Sequence, residues 1–205
     1  MTTFYFVRHG QTTANATGLK QGTINDDRTH LTEKGHAQAT HLADQFDVSN
    51  MDALFVSPLD RTQETAAHLH TDLTAQRDAR LLEISYGIWD GQQNADLQAQ
   101  YPEVFDQTLN DVLPTYTTIA TDGETFAQVQ ARVADFMQDV ESRYPNGNVV
   151  CVTHGFTVKS AALVALQPQD PMSLPETDNT SVTKITKSGD NYYLWYYNRF
   201  DAQTY

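Results

Sequence analysis

The sequence predicts an α/β protein, a three-layer α/β/α arrangement around a mostly parallel sheet with an antiparallel edge. Three observations carry this. Short apolar runs alternate with amphipathic helical stretches, the pattern of parallel strands joined by crossover helices. Asn148 to Thr153 is Val-rich and apolar at successive positions, as a strand buried on both faces requires. The last two apolar segments, Ser181 to Thr186 and Tyr192 to Tyr197, flank Ser188-Gly189-Asp190, which is hairpin chemistry.

The elements follow in chain order. Phe4 to Val7 reads as a short buried strand. Thr32 caps a helix running to Phe46, with Leu31, Ala39, Leu42, Ala43 and Phe46 on one face. Asp52 to Val56 is a second strand. Ser57-Pro58 then opens a helix, Ser as N-cap and Pro at the first helical position, with Ala66, Leu69 and Leu73 as its apolar stripe. Arg80-Leu81-Leu82 is a third strand. From about 87 to 123 the pattern loosens into short helical pieces, Asn94 to Gln100 and Pro102 to Leu109, among turn residues. This stretch is an insertion expected to cover something. Phe126, Val129, Val133, Phe136, Met137 and Val140 then recur at helical spacing. Asn148 to Thr153 is the fourth strand, and Phe156 to Leu166 a largely apolar helix.

At 205 residues the chain is expected to form a single domain, 1–205, carrying the cover insertion. Lys and Arg number 13 against 26 Asp and Glu, a formal charge of −13. That excludes a basic nucleic-acid footprint and docking on anionic membranes. The single cysteine, Cys151, excludes an intrachain disulfide and a cysteine metal cage, and mid-strand it reads as a core residue. No apolar run is long enough to span a bilayer. The N-terminal residues run straight into a strand with no basic n-region or small-residue cleavage site, so a cytoplasmic enzyme is expected.

Five residues fall where such a fold concentrates chemistry. Arg8 and His9 follow strand one. Arg61 lies in the first turn of the helix after strand two. Glu83 follows strand three, and His154 follows strand four at a helix start. Ligands of open α/β sheets bind outside the carboxyl ends of the strands, so these residues should converge. Helix N-termini there add N–H groups and positive dipole ends. Two guanidiniums and two imidazoles around such a point describe an anion site, with phosphate the obvious occupant. Taken singly, each is an ordinary salt-bridge or polar residue. Their joint placement makes the cluster functional.

The motifs around these residues resemble one family in order along the chain. Arg8-His9-Gly10-Gln11-Thr12-Thr13-Ala14-Asn15 resembles the Arg-His-Gly-(Glu/Gln)-(Ser/Thr)-x-x-Asn signature of the histidine phosphatase superfamily, the phosphoglycerate mutase-like family. Ser57-Pro58-Leu59-Asp60-Arg61-Thr62-Gln63-Glu64-Thr65-Ala66 is similar to its Ser-Pro-Leu-x-Arg segment. Glu83 with Gly87-Ile88-Trp89-Asp90-Gly91, Gly123-Glu124-Thr125 with Arg132-Val133, and Val152-Thr153-His154-Gly155 follow its remaining motifs. The resemblance implies a phosphoglycerate mutase-like fold and a phosphomonoester hydrolase acting on a small phosphorylated metabolite through a phosphohistidine, without metal or cofactor. It implies His9 as nucleophile, with the proton on its other ring nitrogen. Arg8, Arg61 and His154 would bind the phosphoryl oxygens, and Glu83 would serve as acid and then base. Asn15, Gln21, Gly22 and Gly155 would contact substrate.

Two departures from the family pattern stand out. The loop Gly22 to Thr32 is longer than usual and lacks proline, and Phe156 replaces a frequent glycine. The five remaining histidines, His30, His36, His41, His68 and His70, form no His-Glu-x-x-His pattern and read as surface residues. The aromatic C-terminal hairpin reads as a sheet edge packed on a helix, with a homodimer contact as the alternative.

Two further functions share these features: a cofactor-dependent phosphoglycerate mutase and a catalytically inactive phosphate-binding regulatory domain. A Cys-x5-Arg phosphatase is excluded because Thr157 stands at the Arg position. Walker A and Gly-x-Ser-x-Gly motifs are absent. Against the mutase, Ile84 follows Glu83, where mutases of this family carry basic residues. Between Leu81 and Ala131 there is no Lys or Arg, while Glu83, Asp90, Asp96, Glu103, Asp106, Asp111, Asp122 and Glu124 all fall there. An acidic cover disfavours a second anion on the substrate. Tyr86, Trp89, Tyr101, Phe105 and Tyr116 either contact substrate or form the cover's own small core. The expected leaving group is therefore neutral, cationic or aromatic, unless Lys20 or Arg28 reaches the site.

Overall fold

Strand β1 (Thr2–Arg8) buries Phe4, Phe6 and Val7 and sits inside a six-stranded sheet. A computed structural model describes residues 1–200 of the chain. One helical turn, α1 (Thr13–Thr17), follows, opened by reciprocal capping between Thr12 and Asn15 and closed by Gly18 at φ 72°. Helix α2 (Glu33–Gln45) starts at Thr32, whose hydroxyl accepts from Gly35 N at 3.0 Å. Then come β2 (Ala53–Val56), α3 (Asp60–Ala66) and β3 (Ala75–Arg77). The cover holds α4 (Asn94–Gln100) and a small antiparallel pair, β4 (Phe105–Asp106) and β5 (Asp111–Val112). Helix α5 (Phe126–Arg143), β6 (Asn148–Thr153) and α6 (Gly155–Leu166) lead to the hairpin β7 (Val182–Ser188) and β8 (Asn191–Arg199).

The sheet order is β3-β2-β6-β1-β7-β8. The first four strands run parallel, and β7 and β8 add the antiparallel edge. Alternation along β6 shows both faces covered. Val149 and Cys151 join the core with Phe4, Phe55, Phe136 and Phe156, whereas Val150 and Val152 join Leu42, Val56 and Leu69 on the opposite face. The predicted three-layer arrangement is the one observed. Within the hairpin, Leu194 and Tyr197 pack on the main core while Tyr193 and Trp195 stand exposed on the edge strand. Among the described residues no helix is long and apolar enough to cross a membrane.

Four local expectations are corrected. Arg80-Leu81-Leu82 is not a strand; β3 lies earlier, and Ala79–Leu81 is a 3-10 turn. Side chains take its carbonyls: Arg132 holds Arg80 O and Leu82 O, and Thr153 holds Leu81 O, so no strand partner can. The helix after β2 starts at Asp60, with Leu59 at its N-cap, and ends at Ala66, so Leu73 lies beyond it; Ser57 stands ahead of the cap, its hydroxyl accepting from Leu59 N at 3.4 Å and from His154 Nε2 at 2.7 Å. Pro102 to Leu109 contains a 3-10 turn and β4 rather than a helix, with Asp106 accepting from Thr108 N and Leu109 N. The turn α1, five residues without apolar periodicity, was not anticipated.

Candidate active site

Two neighbouring strand ends build the centre. The register of β1 and β6 sets Arg8 opposite Thr153, so His9 and His154 leave the sheet side by side, ring centroids 5.3 Å apart and edge to face. His9 Nδ1 donates to Gly10 O at 2.7 Å, which places the proton there and leaves Nε2 with its lone pair. Burial first, then the guanidiniums of Arg61 and Arg8, hold the His9 pKa well below the ordinary histidine value, so the ring is neutral. Its backbone is pinned as well: Asn179 Nδ2 donates to His9 O at 2.9 Å and Gly10 N donates to Thr65 Oγ1 at 3.0 Å.

Arg61 is fully buried. It donates through Nη1 to Ile24 O at 3.0 Å, through Nη2 to Gly22 O at 2.8 Å and through Nε to His154 Nδ1 at 3.2 Å. Burial lowers its pKa to about 10, which leaves it a cation at neutral pH. His154 is kept neutral by burial and by Arg61, and its Nε2 donates to Ser57 Oγ at 2.7 Å. Arg8 donates to Thr177 O through Nη1, while its buried Nε has no hydrogen-bond partner among the described residues.

The Glu83 carboxyl is held at both oxygens. Oε1 accepts from Ile84 N at 3.0 Å and Oε2 accepts from Phe156 N at 3.3 Å. Burial nevertheless pushes its pKa above the ordinary carboxylate range, against the pull of these N–H groups and of Arg61 and Arg8. The segment carrying Glu83 is clamped from behind. Arg132 donates to the carbonyls of Arg80 at 2.8 Å, Leu82 at 2.7 Å and Glu83 at 3.2 Å, and pairs with Glu124 at 3.0 Å. Glu124 in turn accepts from Ser85 N at 3.0 Å, and Thr157 Oγ1 donates to Leu82 O at 2.6 Å. The Gly123-Glu124-Thr125 motif with Arg132 thus positions the carboxyl from a distance.

A cavity of about 330 Å³ opens in front of these groups. Arg8, His9, Asn15, Gln21, Gly22, Arg61 and Glu83 line it. Gly22, at φ 48°, leaves no room for a side chain: a Cβ would fall 1.7 Å from Asp90 Oδ1, the oxygen that accepts from Tyr86 N. His154 and Gly155, expected to contact phosphate and substrate, are not among the residues that line this cavity. Both His154 ring nitrogens are already bonded. Gly155 provides space instead, since a Cβ there would lie 2.6 Å from Glu176 Oε2 and 3.1 Å from Arg8 Cζ. Sequence reasoning missed Glu176, Asn94, Asn110 and Pro175 as lining residues. No local motif marks them.

The family model of the histidine phosphatase superfamily (branch 1) matches residues 4–199. The chain belongs to this superfamily. Phosphoserine phosphatase 1 of Hydrogenobacter thermophilus is 31% identical over 156 residues, 75% of this chain and 71% of that protein. Adenosylcobalamin/alpha-ribazole phosphatase of Escherichia coli is 30% identical over 152 residues, 73% of this chain and 72% of that one. Among solved structures, Bacillus stearothermophilus YhfR superposes with a TM-score of 0.83 at 29% identity, covering 95% of this chain and 96% of that chain.

In this histidine phosphatase the cover is not the acidic wall its composition implies. Of its eight carboxylates only Glu83 and Asp111 line the cavity, and Lys20 lines it with them. Arg28 stays outside, paired with Asp26. Trp89 stacks on Tyr101 and Phe105 at 5.5 and 5.9 Å and tilts against Tyr116 at 5.8 Å, so these aromatics pack on one another and extend the main core rather than forming a separate one. Tyr86 alone of the five named aromatics faces the cavity. Among the described residues no group of three or more His, Cys, Asp or Glu could hold a metal ion.

Proposed function

We propose that the protein is a phosphomonoesterase that acts on small phosphorylated substrates through a phosphohistidine at His9. The observation that carries this reading is the state of that ring. It is neutral, protonated at Nδ1, and presents an Nε2 without a partner among the described residues to a cavity flanked by two guanidiniums. Arg8, with its unpaired Nε, and Arg61 hold the phosphoryl oxygens and offset the charge that spreads over them in transfer. Asn15 and Gln21 contribute neutral hydrogen bonds from the same wall.

His9 Nε2 attacks phosphorus as the ester P–O bond breaks, and Glu83, carrying its proton, gives it to the leaving oxygen. The carboxylate so formed then takes a proton from water as that water attacks phosphorus and releases His9. The raised Glu83 pKa suits the first duty, and the Arg132 clamp keeps the carboxyl in reach for both. His154 acts through Arg61, by fixing its Nε.

The relatives' phosphatase names support hydrolysis over mutase chemistry, as does Ile84, which is buried in the core directly after Glu83 and leaves no basic group there. Rapid quench with p-nitrophenyl phosphate tests the proposal. The protein should carry phosphate that is acid-labile and base-stable, mapping to His9, and His9→Ala should carry none and turn over negligibly. A His9→Ala variant of near-normal turnover would overturn the assignment.

A further inference from the structure

Beyond the phosphate-facing groups, the cavity wall holds a charge arrangement that the proposed reaction does not use. Asp111, on β5, sits between two lysines. Its Oδ1 is 3.6 Å from Lys20 Nζ and its Oδ2 is 3.7 Å from Lys159 Nζ. Neither distance is a hydrogen bond; the hydrogen bond this carboxylate does accept is from Val112 N, at 2.7 Å to Oδ1. Lys159, on α6, is fully buried over the rings of Phe126 and Phe156, and Asp111 is its one ion pair among the described residues. Both Lys159 Nζ and Asp111 Oδ2 are buried without a hydrogen-bond partner. Lys20 rests on the Tyr86 ring at 4.4 Å and lines the cavity, and its ammonium makes no hydrogen bond among the described residues.

We infer that Lys20 is a second anion-binding group of this cavity, kept available by the buried Lys159, and that it selects phosphomonoesters whose leaving group carries a carboxylate. Lys20 and Lys159 share Asp111, and Glu176, the other carboxyl near Lys20, is drawn toward its neutral form, so Lys20 is not fully neutralised; of the two ammonium groups only that of Lys20 lines the cavity. Val112 N fixes Oδ1 and Lys159 faces Oδ2, so without Lys159 the Oδ2 side would be free to turn toward Lys20 and neutralise it. Lys159 draws the carboxylate to the far side. Lys20 is therefore the specificity-determining group and Lys159 a positioning residue. A single negative charge fits better than a second phosphate, because Asp111 and Glu176 flank the place and repel a dianion more strongly. Burial and Asp111 push the Glu176 carboxyl up to about 7, which tempers its repulsion of a monoanion at neutral pH. The inference reverses the expectation drawn from the acidic cover. It rests on the phosphatase reading only for calling the bound molecule a substrate.

The test is calorimetric binding to full-length His9→Ala protein, which separates recognition from turnover. O-phosphoserine and O-phosphoethanolamine differ by the carboxylate alone, and 3-phosphoglycerate carries a carboxylate where glycerol 3-phosphate carries a hydroxymethyl group. The carboxylate member of each pair should bind about tenfold or more tighter, the worth of a charge-assisted hydrogen bond. Lys20→Met should bring both ratios near one, and Lys20→Arg should preserve them. Lys159→Met should lower the ratios several-fold, and adding Asp111→Asn to it should restore them by freeing Lys20, a rescue that a merely structural Lys159 would not show. Ratios unchanged in Lys20→Met, or no rescue by Asp111→Asn, would overturn the inference. Equal Lys20 dependence for fructose 1,6-bisphosphate would overturn the carboxylate assignment. Failure of the wild type to release phosphate from p-nitrophenyl phosphate would instead count against the phosphatase reading and leave these binding ratios to be judged separately.

Discussion

Glu83→Gln separates the two duties given to this carboxyl. The glutamate accepts at both oxygens, from Ile84 N at 3.0 Å and from Phe156 N at 3.3 Å. A glutamine replaces one acceptor with an NH2 donor. It should turn that donor toward Phe156 N, the longer contact, so that two donors face each other. The stability cost is of order 1–3 kcal/mol, read from denaturant midpoints. The chemical cost is larger. Removing a general acid is worth roughly 10²- to 10⁴-fold for a leaving alkoxide, or about 3–5 kcal/mol of barrier. A nitrophenolate leaves without a proton, so its transfer to His9 should be nearly spared. Because the variant also lacks the base for the water step, p-nitrophenol should appear as a fast burst of about one equivalent followed by slow turnover, whereas an alkyl phosphate should show slow transfer and no burst. Equal slowing of the transfer step for both esters would refute the acid role and leave Glu83 a binding residue.

Three more outcomes follow from the geometry. Arg132→Met strips donors from the carbonyls of Arg80, Leu82 and Glu83 and leaves Glu124 without its cationic partner, so unfolding free energy should fall by about 2–4 kcal/mol and kcat should drop while vanadate still binds; unchanged kcat would show that the clamp does not position Glu83. Glu176, facing Arg8, Lys20, Glu83, Asp111, Tyr86 and Tyr197, has its folded pKa raised to about 7, so the folded state binds the extra proton and stability falls as pH rises from the ordinary carboxylate range through about 7. Glu176→Gln should match the wild type near pH 5 and exceed it by about 1–3 kcal/mol near pH 8, and parallel pH profiles would refute this. Activity should persist in EDTA, and loss restored by a divalent ion would place a metal in the reaction.

Much of the fold was legible because its signals are local. The Val-rich run of β6, the Thr32 cap and the Gly189-Asp190 turn each need only their neighbours to be understood. Arg80-Leu81-Leu82 failed for the opposite reason. Its apolar pair looks like a strand, but the side chains that consume its carbonyls come from Arg132 and from Thr153, 72 residues from Leu81. The cavity-lining cluster could be placed because strand ends in a parallel sheet converge by topology, so Arg8, His9, Arg61 and Glu83 needed no knowledge of side-chain direction. His154 and Gly155 did need it. They follow β6 as foreseen, yet both His154 ring nitrogens are bonded within the protein and Gly155 makes room for Arg8 and Glu176, so neither lines the cavity.

Charge is where sequence composition misled most, and the reason is physical. The segment from Leu81 to Ala131 carries eight carboxylates and no Lys or Arg, yet most do not act on the cavity. Asp90 accepts from Thr23 N and Tyr86 N, Asp106 from Thr108 N and Leu109 N, Asp122 from Ile88 N, and Glu124 from Ser85 N and Arg132. Asp96 and Glu103 are exposed, where solvent and salt screen them. These groups satisfy backbone donors in a stretch rich in turns and poor in regular structure, which is why so many are needed there. A charge tally weights all eight equally, whereas the field at a small cavity is set by the few groups that face it. By that measure the outer wall presents Asp111 shared between Lys20 and Lys159, with Glu176 drawn toward its neutral form. The acidic chain thus keeps a cavity in which a second negative charge on the substrate has somewhere to go.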